Sequence, residues 1–182
     1  MKKILSCLVL FCICCGGCEN DLQQVQQLNT RDIGVEVAKN IETYYYSANG
    51  QIKAKMTAPQ LHRYMKNPPY MEINNGLRVD FYNDSLQVES ILTAKKGYFN
   101  EGNNEMWVKD SVVVINREGR RLDCQDLYWD AKKQQFYTHN PATITSPTEV
   151  LYGRNGLTAN QDFSSYQILH TSGLFQDSTM AP

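Results

Sequence analysis

The chain reads as an all-β protein of short antiparallel strands, and three observations predict that class. Apolar and polar residues alternate with a period of two through most of residues 41–175, no window sustains a long 3.6-residue period, and Gly, Pro and Asn clusters break the alternation at short intervals. At 182 residues the length suits about one domain. A composition of 42% hydrophobic and 20% charged residues, with mean hydropathy −0.48, allows a soluble core and excludes a multi-span membrane protein. Lys plus Arg is 18 and Asp plus Glu is 19, so the formal charge is −1, which argues against electrostatic binding of nucleic acid.

Residues 1–17 have the pattern of a signal peptide. Lys2 and Lys3 precede Ile4–Cys15, a run of twelve residues interrupted only by Ser6, and Gly16-Gly17 follows. The run is shorter than the roughly 20 apolar residues of a spanning helix. Cys15-Gly16-Gly17-Cys18 resembles the bacterial lipobox, in which the last Cys receives lipid and becomes the mature N-terminus, although Cys15 stands where an aliphatic residue is usual. An ordinary secretory leader is the plainer alternative. Polar Glu19, Asn20 and Asp21 directly after Cys18 favour lipidation, and each buried acyl methylene contributes about 0.8 kcal/mol to membrane anchoring. Removing Lys2 and Lys3 leaves 16 basic against 19 acidic residues, a mature charge near −3. Residues 18–40 then form a lipidated, polar, Gln-rich tether, because Leu22, Val25 and Leu28 make too thin a stripe for an independent helix.

The folded domain is expected over residues 41–175, and it opens with a hairpin. Glu42–Ala48 and Gln51–Thr57 flank Asn49-Gly50, whose residue types suit the positive φ of a type I′ turn. Alternation next puts Leu77, Val79 and Phe81 on one face, then Leu86, Val88, Leu92 and Ala94. The same reasoning places Val112, Val114, Leu122, Ile144, Leu157 and Phe163 on the inside. A repeat supports the pattern: a shift of thirty residues lays Leu92 on Leu122, Ala94 on Cys124, Asp110 on Asn140 and Val114 on Ile144, with partial copies from Leu157 and Ile52. Such strand-meander units need stacked neighbours to bury their apolar faces. Cys124 then fills an inward slot for a small residue. Five of the six cysteines lie in the first eighteen residues, so the domain has no disulfide framework. Residues 176–182 read as a flexible tail.

Catalytic and metal-binding patterns are not found. His62, His139 and His170 are isolated, and no phosphate-binding glycine loop, nucleophile elbow or EF-hand occurs, so no cofactor, metal or catalytic residue is assigned. Asp84, Glu89, Asp123, Asp126 and Asp162 could in principle pair as a glycosidase couple, but acids on the wet face of strands are the commoner case. Asp84-Ser85-Leu86, Asp110-Ser111-Val112 and Asp177-Ser178-Thr179 resemble the acceptor triplets for O-glycosylation in Bacteroides-like bacteria.

Leu127-Tyr128-Trp129-Asp130, Thr138, Ala142-Thr143-Ile144, Gly153, Gly156-Leu157-Thr158-Ala159, Asp162-Phe163, Tyr166-Gln167-Ile168 and Gly173 resemble the LptC family, most densely from Leu92 to Phe175. That family is the periplasmic component of the lipopolysaccharide export machine and shares its fold with the sister bridge proteins. Its better-known members carry an N-terminal transmembrane helix, whereas the lipobox-like Cys18 suggests a lipoprotein-anchored, Bacteroides-like version. The resemblance implies an open, twisted β-jellyroll of two splayed antiparallel sheets, with the inward residues named above lining a groove for lipid acyl chains. It also implies a non-enzymatic relay in the periplasm, anchored to a membrane, with the inner membrane favoured. Lipopolysaccharide would come from an inner-membrane ABC transporter and pass to a bridge protein of the same fold, docked on an edge strand near Tyr166, Ile168 and Phe175. Two other readings remain open from the residues alone: a lipid-anchored sandwich that scaffolds envelope proteins, and a lipoprotein that binds or degrades glycans.

Overall fold

The computed structural model describes residues 34–103, 105–130, 133, 135–161 and 163–175. The expected signal peptide, Cys18, residues 18–33 of the expected tether and the expected tail from residue 176 lie outside the described residues. Fourteen strands account for the architecture: β1 (Val35–Tyr46), β2 (Ile52–Tyr64), β3 (Tyr70–Ile73), β4 (Leu77–Tyr82), β5 (Val88–Ala94), β6 (Lys96–Asn100), β7 (Glu105–Asn116), β8 (Arg121–Asp130), β9 (Gln135–Thr138), β10 (Ala142–Thr145), β11 (Glu149–Gly153), β12 (Leu157–Asn160), β13 (Tyr166–Ile168) and β14 (Thr171–Phe175). All pairings are antiparallel, as the jellyroll class requires, and no helix among the described residues is long and apolar enough to cross a membrane.

One hydrogen-bonded sheet folds over on itself along a line that crosses every long strand. Each half of β2, β7 and β8 pairs with different short strands. The early half of β2 meets β4 and its late half meets β3; the late half of β7 meets β5 and its early half meets β6; β8 meets β10 and then β9. The first arm therefore contains β4, β5, β10, β11 and β14, and the second contains β3, β6, β9, β12 and β13. Backbone at the fold line adopts positive φ: Asn40 (51°), Gly76 (91°), Asp110 (64°), Ser111 (55°), Gly156 (91°) and His170 (54°). In β7 the pair Asp110-Ser111 faces the single residue Gln125, because Lys109 pairs with Asp126 and Val112 with Cys124. That bulge lets the strand turn the corner.

The core lies between the arms. Across the first arm Met56, Val79, Leu92, Val114, Leu122, Ile144 and Leu151 stand side by side, and across the second Met71, Phe99, Met106, Trp129, Phe136, Ala159 and Tyr166 do. Leu92, Leu122, Leu127, Ile144 and Leu157 are at most 2% exposed, and each such burial contributes roughly 1.5–3 kcal/mol. Phe81 and Phe136 bring the arms together, with ring centroids 5.6 Å apart.

Five sequence expectations need correction. The first strand starts at Val35, inside the expected tether of residues 18–40, and Val35–Lys39 pair with residues 60–64 of β2. Its first half is almost wholly exposed, with Val35, Val37 and Ala38 set among Glu36, Lys39 and Asn40, so no buried face marks it as a strand. In the opening hairpin only Gly50 has a positive φ (82°), and Ser47 N–H donates to the Gln51 carbonyl, so the connection is longer than a two-residue type I′ turn. Leu86 lies in a turn with φ of 57° and is 59% exposed. Val88 is 39% exposed, because a register shift between Phe81 and Tyr82 interrupts the alternation before it. The thirty-residue repeat holds between Leu92 and Leu122, which share a row. The copy beginning at Leu157 does not, since Leu157 pairs with Thr138 and Ile168 in the other arm.

Candidate functional site

The alternation places most of the proposed lining inside. Leu77, Leu92, Ala94, Val112, Val114, Leu122 and Ile144 are buried from the first arm, Leu157 and Phe163 from the second, and Val79 and Phe81 are half-buried against them. Leu86 and Val88 are not part of this interior. Around Val114, Leu122, Ile144 and Phe163 packing leaves no room for even a water molecule. The Phe163 ring closes that end, stacked on Phe136 at 5.6 Å, while Arg120 Nη1 donates to the Phe163 carbonyl at 3.0 Å and Ser90 Oγ to the Gln161 carbonyl at 3.3 Å. Arg120 Nε is buried and has no partner.

A shallow surface depression of about 500 Å³ sits at the fold line where β3 and β4 part along β2, lined by Asn40, Ile41, Ala58, Gly76 and Leu77 and by Glu42, Thr57 and Arg78 of the outer face. Met56, Met71, Phe99 and Met106 are only half-buried on the inner rows. These residues escaped the sequence reading. Tyr98-Phe99 and Met106-Trp107 offer two large side chains in succession, so alternation cannot say which points inward; the pairings of Phe99 with Met71 and Met106 decide it. Methionine is flexible and polarizable, which suits a lining that must reshape around a guest. Tyr45 faces the same side from β1, opposite Ala54. It keeps 41% of its surface, yet burial raises its hydroxyl pKa, as expected for a ring lying in a concavity.

Charges gather at the rim. Arg63, opposite Met71, donates to both oxygens of Glu101 at 2.7 and 2.9 Å and reaches Glu36 at 3.5 Å. Its hydrogen bonds hold the Glu101 carboxyl below the usual range.

The carboxylates considered as a catalytic couple hold other partners. Asp84 pairs with Lys53 at 2.6 Å, Asp123 with Arg121, and the buried Asp126 accepts from Thr138 Oγ1 at 2.6 Å and Asn140 Nδ2 at 2.7 Å. Asp162 lies outside the described residues. Burial, followed by Asp126 and Asp123, pushes the Cys124 thiol up to about 12, which leaves it protonated and unreactive at neutral pH. Among the described residues no three His, Cys, Asp or Glu side chains converge as metal ligands.

Among the described residues β13 (Tyr166–Ile168) pairs with β12, β14, which ends at Phe175, with β11, and β1 with β2, so these strands end the sheet as described.

Comparison with known proteins agrees with this architecture. The family model described as lipopolysaccharide-assembly, LptC-related matches residues 6–172. A search of curated proteins finds no match. With a family match across nearly the whole chain and an all-β antiparallel fold beneath it, this chain belongs to the LptC family of lipopolysaccharide-assembly proteins.

Proposed function

We propose that this chain is a periplasmic relay that takes lipopolysaccharide from an inner-membrane ABC transporter and passes it to a bridge protein of the same fold. Family membership gives the role in lipopolysaccharide transport; the relay and its partners are the reading argued here. The observation that carries it is a pair of half-buried inner rows on the two arms of one folded sheet, Met56 beside Val79 on the first and Met71, Phe99 and Met106 on the second. Acyl chains entering there are stabilised by about 25 cal/mol per Å² of apolar surface removed from water. Because Val114, Leu122 and Ile144 are already packed, deeper entry needs the arms to part and the Phe163 turn to lift. A nucleotide-driven partner would supply direction, since passive binding cannot impose one-way flow.

The anchor belongs to the same proposal: residues 1–17 are removed and Cys18 is lipidated, holding the domain at the inner membrane. Strands β13 and β14, near the C-terminus, are where the next protein would add a strand of its own to the sheet. The scaffold reading draws on the filled core at Phe163. Photo-reactive residues separate the two. Placed at Val79, Met71 or Met106 they should cross-link to lipopolysaccharide in cells, while one at Ile115, 39% exposed on the outer face, should not. Failure at all three inner positions, with partner cross-links still forming from β13, sinks the relay and leaves the scaffold.

A further inference from the structure

Away from the fold line, the core is stopped by an aromatic side chain on a backbone that aromatic residues seldom adopt. Phe163 has φ of 56°, in the left-handed region, yet its ring is only 3% exposed and stacks on Phe136. Asn160 holds this conformation locally. Its carbonyl accepts from Phe163 N–H at 3.1 Å, its Oδ1 accepts from Ser165 N–H at 3.0 Å, and its Nδ2 donates to Ser164 Oγ at 2.8 Å. Residues 163–165 thus form one stiff unit on the second arm.

Arg120, at the tip of the β7–β8 hairpin, ties that unit to the first arm. The backbone N–H groups of Glu118 and Arg120 donate to Oδ1 of the buried Asn116 at 3.1 and 2.9 Å, so the arginine projects from a fixed base. Its Nη1 donates to the Phe163 carbonyl at 3.0 Å, and its guanidinium carbon lies 5.4 Å from the centre of the Tyr166 ring. Glu118 comes no closer than 3.9 Å. Nε is buried without a partner, and a desolvated donor costs free energy that contact with water would return. The closed arrangement therefore sets ring burial, the stack and the Arg120 bond against two costs, the left-handed Phe163 backbone and the orphaned Nε. Both costs vanish when the unit swings away.

We propose that Arg120 is the latch of a Phe163 plug. Residues 163–165 leave the core as a local opening, at a free energy well below that of global unfolding, and the Arg120 bond sets how often they do so. Arg120 is a positioning residue in this role, acting through Phe163. Opening uncovers Phe136, the ring beneath the plug, and frees the packed end of the core at Val114, Leu122 and Ile144. The inference rests on the relay reading only for the use of the opening, lipid entry; the motion itself is measured without lipid.

The test uses the whole chain and reads hydrogen exchange by peptide mass spectrometry, comparing the Phe163 and Ser165 amides with those of Val112 and Val114 in β7. Arg120→Met keeps an apolar stem and removes the donors; it should quicken the first set about tenfold and leave the second unchanged. Arg120→Gln, whose amide nitrogen ends short of the Nη1 position, should behave alike and serves if the Met variant does not fold. Unaltered exchange at Phe163 and Ser165 overturns the latch, as does equal quickening of both sets, which marks a loss of overall stability. In cells, a photo-reactive phenylalanine derivative at Phe136 should cross-link to lipopolysaccharide severalfold more in Arg120→Met, with the yield at Val79 unchanged. Equal yields at Phe136 beside cross-links at Val79 overturn the latch and leave the relay standing. Absence of cross-links at Val79, Met71 and Met106 sinks the relay, and exchange alone then decides the latch.

Discussion

Gly156 is held to glycine by two constraints at once. Its φ is 91°, and a Cβ there would overlap the Thr138 carbonyl, which is backbone and cannot move aside. Gly119 shares only the first constraint, with φ of 79° and open space around it. Gly156→Ala should therefore cost about 3 kcal/mol or more, and Gly119→Ala about 1–2 kcal/mol, differences that chemical denaturation will resolve. Asp126 shows the limit of reading single residues. Its carboxylate looks like any acid on a wet strand face, yet it is 5% exposed and pins the β9–β10 corner through Thr138 and Asn140. Those partners lie 12 and 14 positions away, with no local spacing to announce them. Cys124 was legible because an inward slot for a small residue needs only the alternation and the repeat.

Within single elements, the β7 bulge sets which faces look inward. Met106 and Val108 point in before it, and Val112 and Val114 after it. Deleting Ser111 removes the extra residue and turns one set outward. Val112 and Val114 are each 1% exposed, so the deletion should expose roughly 1.5–3 kcal/mol of burial per side chain and abolish cooperative thermal unfolding. The ion pairs between strands give a pH signature. Lys55 holds Glu42 below the ordinary range, Lys53 holds Asp84, Arg63 holds Glu101 and Lys96 holds Asp110. Carboxyls depressed in the folded state stabilise it above their unfolded pKa and lose that contribution as pH falls through the folded values. Thermal midpoints should thus be flat near neutrality and fall below about pH 4, with the fall blunted in high salt because these pairs are exposed.

For the molecule as a whole, lipid transfer as proposed requires the arms to separate. Ser90 Oγ donates to the Gln161 backbone carbonyl across them, and a reducible thiol cross-linker joining Ser90→Cys to Gln161→Cys would hold the arms shut. Cross-linking of lipopolysaccharide at Met106 should fall with the tie in place and recover on reduction; equal yields in both states would mean that lipid enters without the arms separating. Alternation and turn residues determined by themselves the all-β class and most inward positions from Leu77 to Phe163, since a strand half-buried on one face must repeat every second residue. The motif resemblance named the family. Only the tertiary structure decided that β1 begins at Val35, that Leu86 and Val88 leave the interior, and that Phe99 and Met106, rather than Tyr98 and Trp107, face it. The physical reason is that strand pairing between distant segments fixes register, and bulges reset its parity, through contacts that no local window contains.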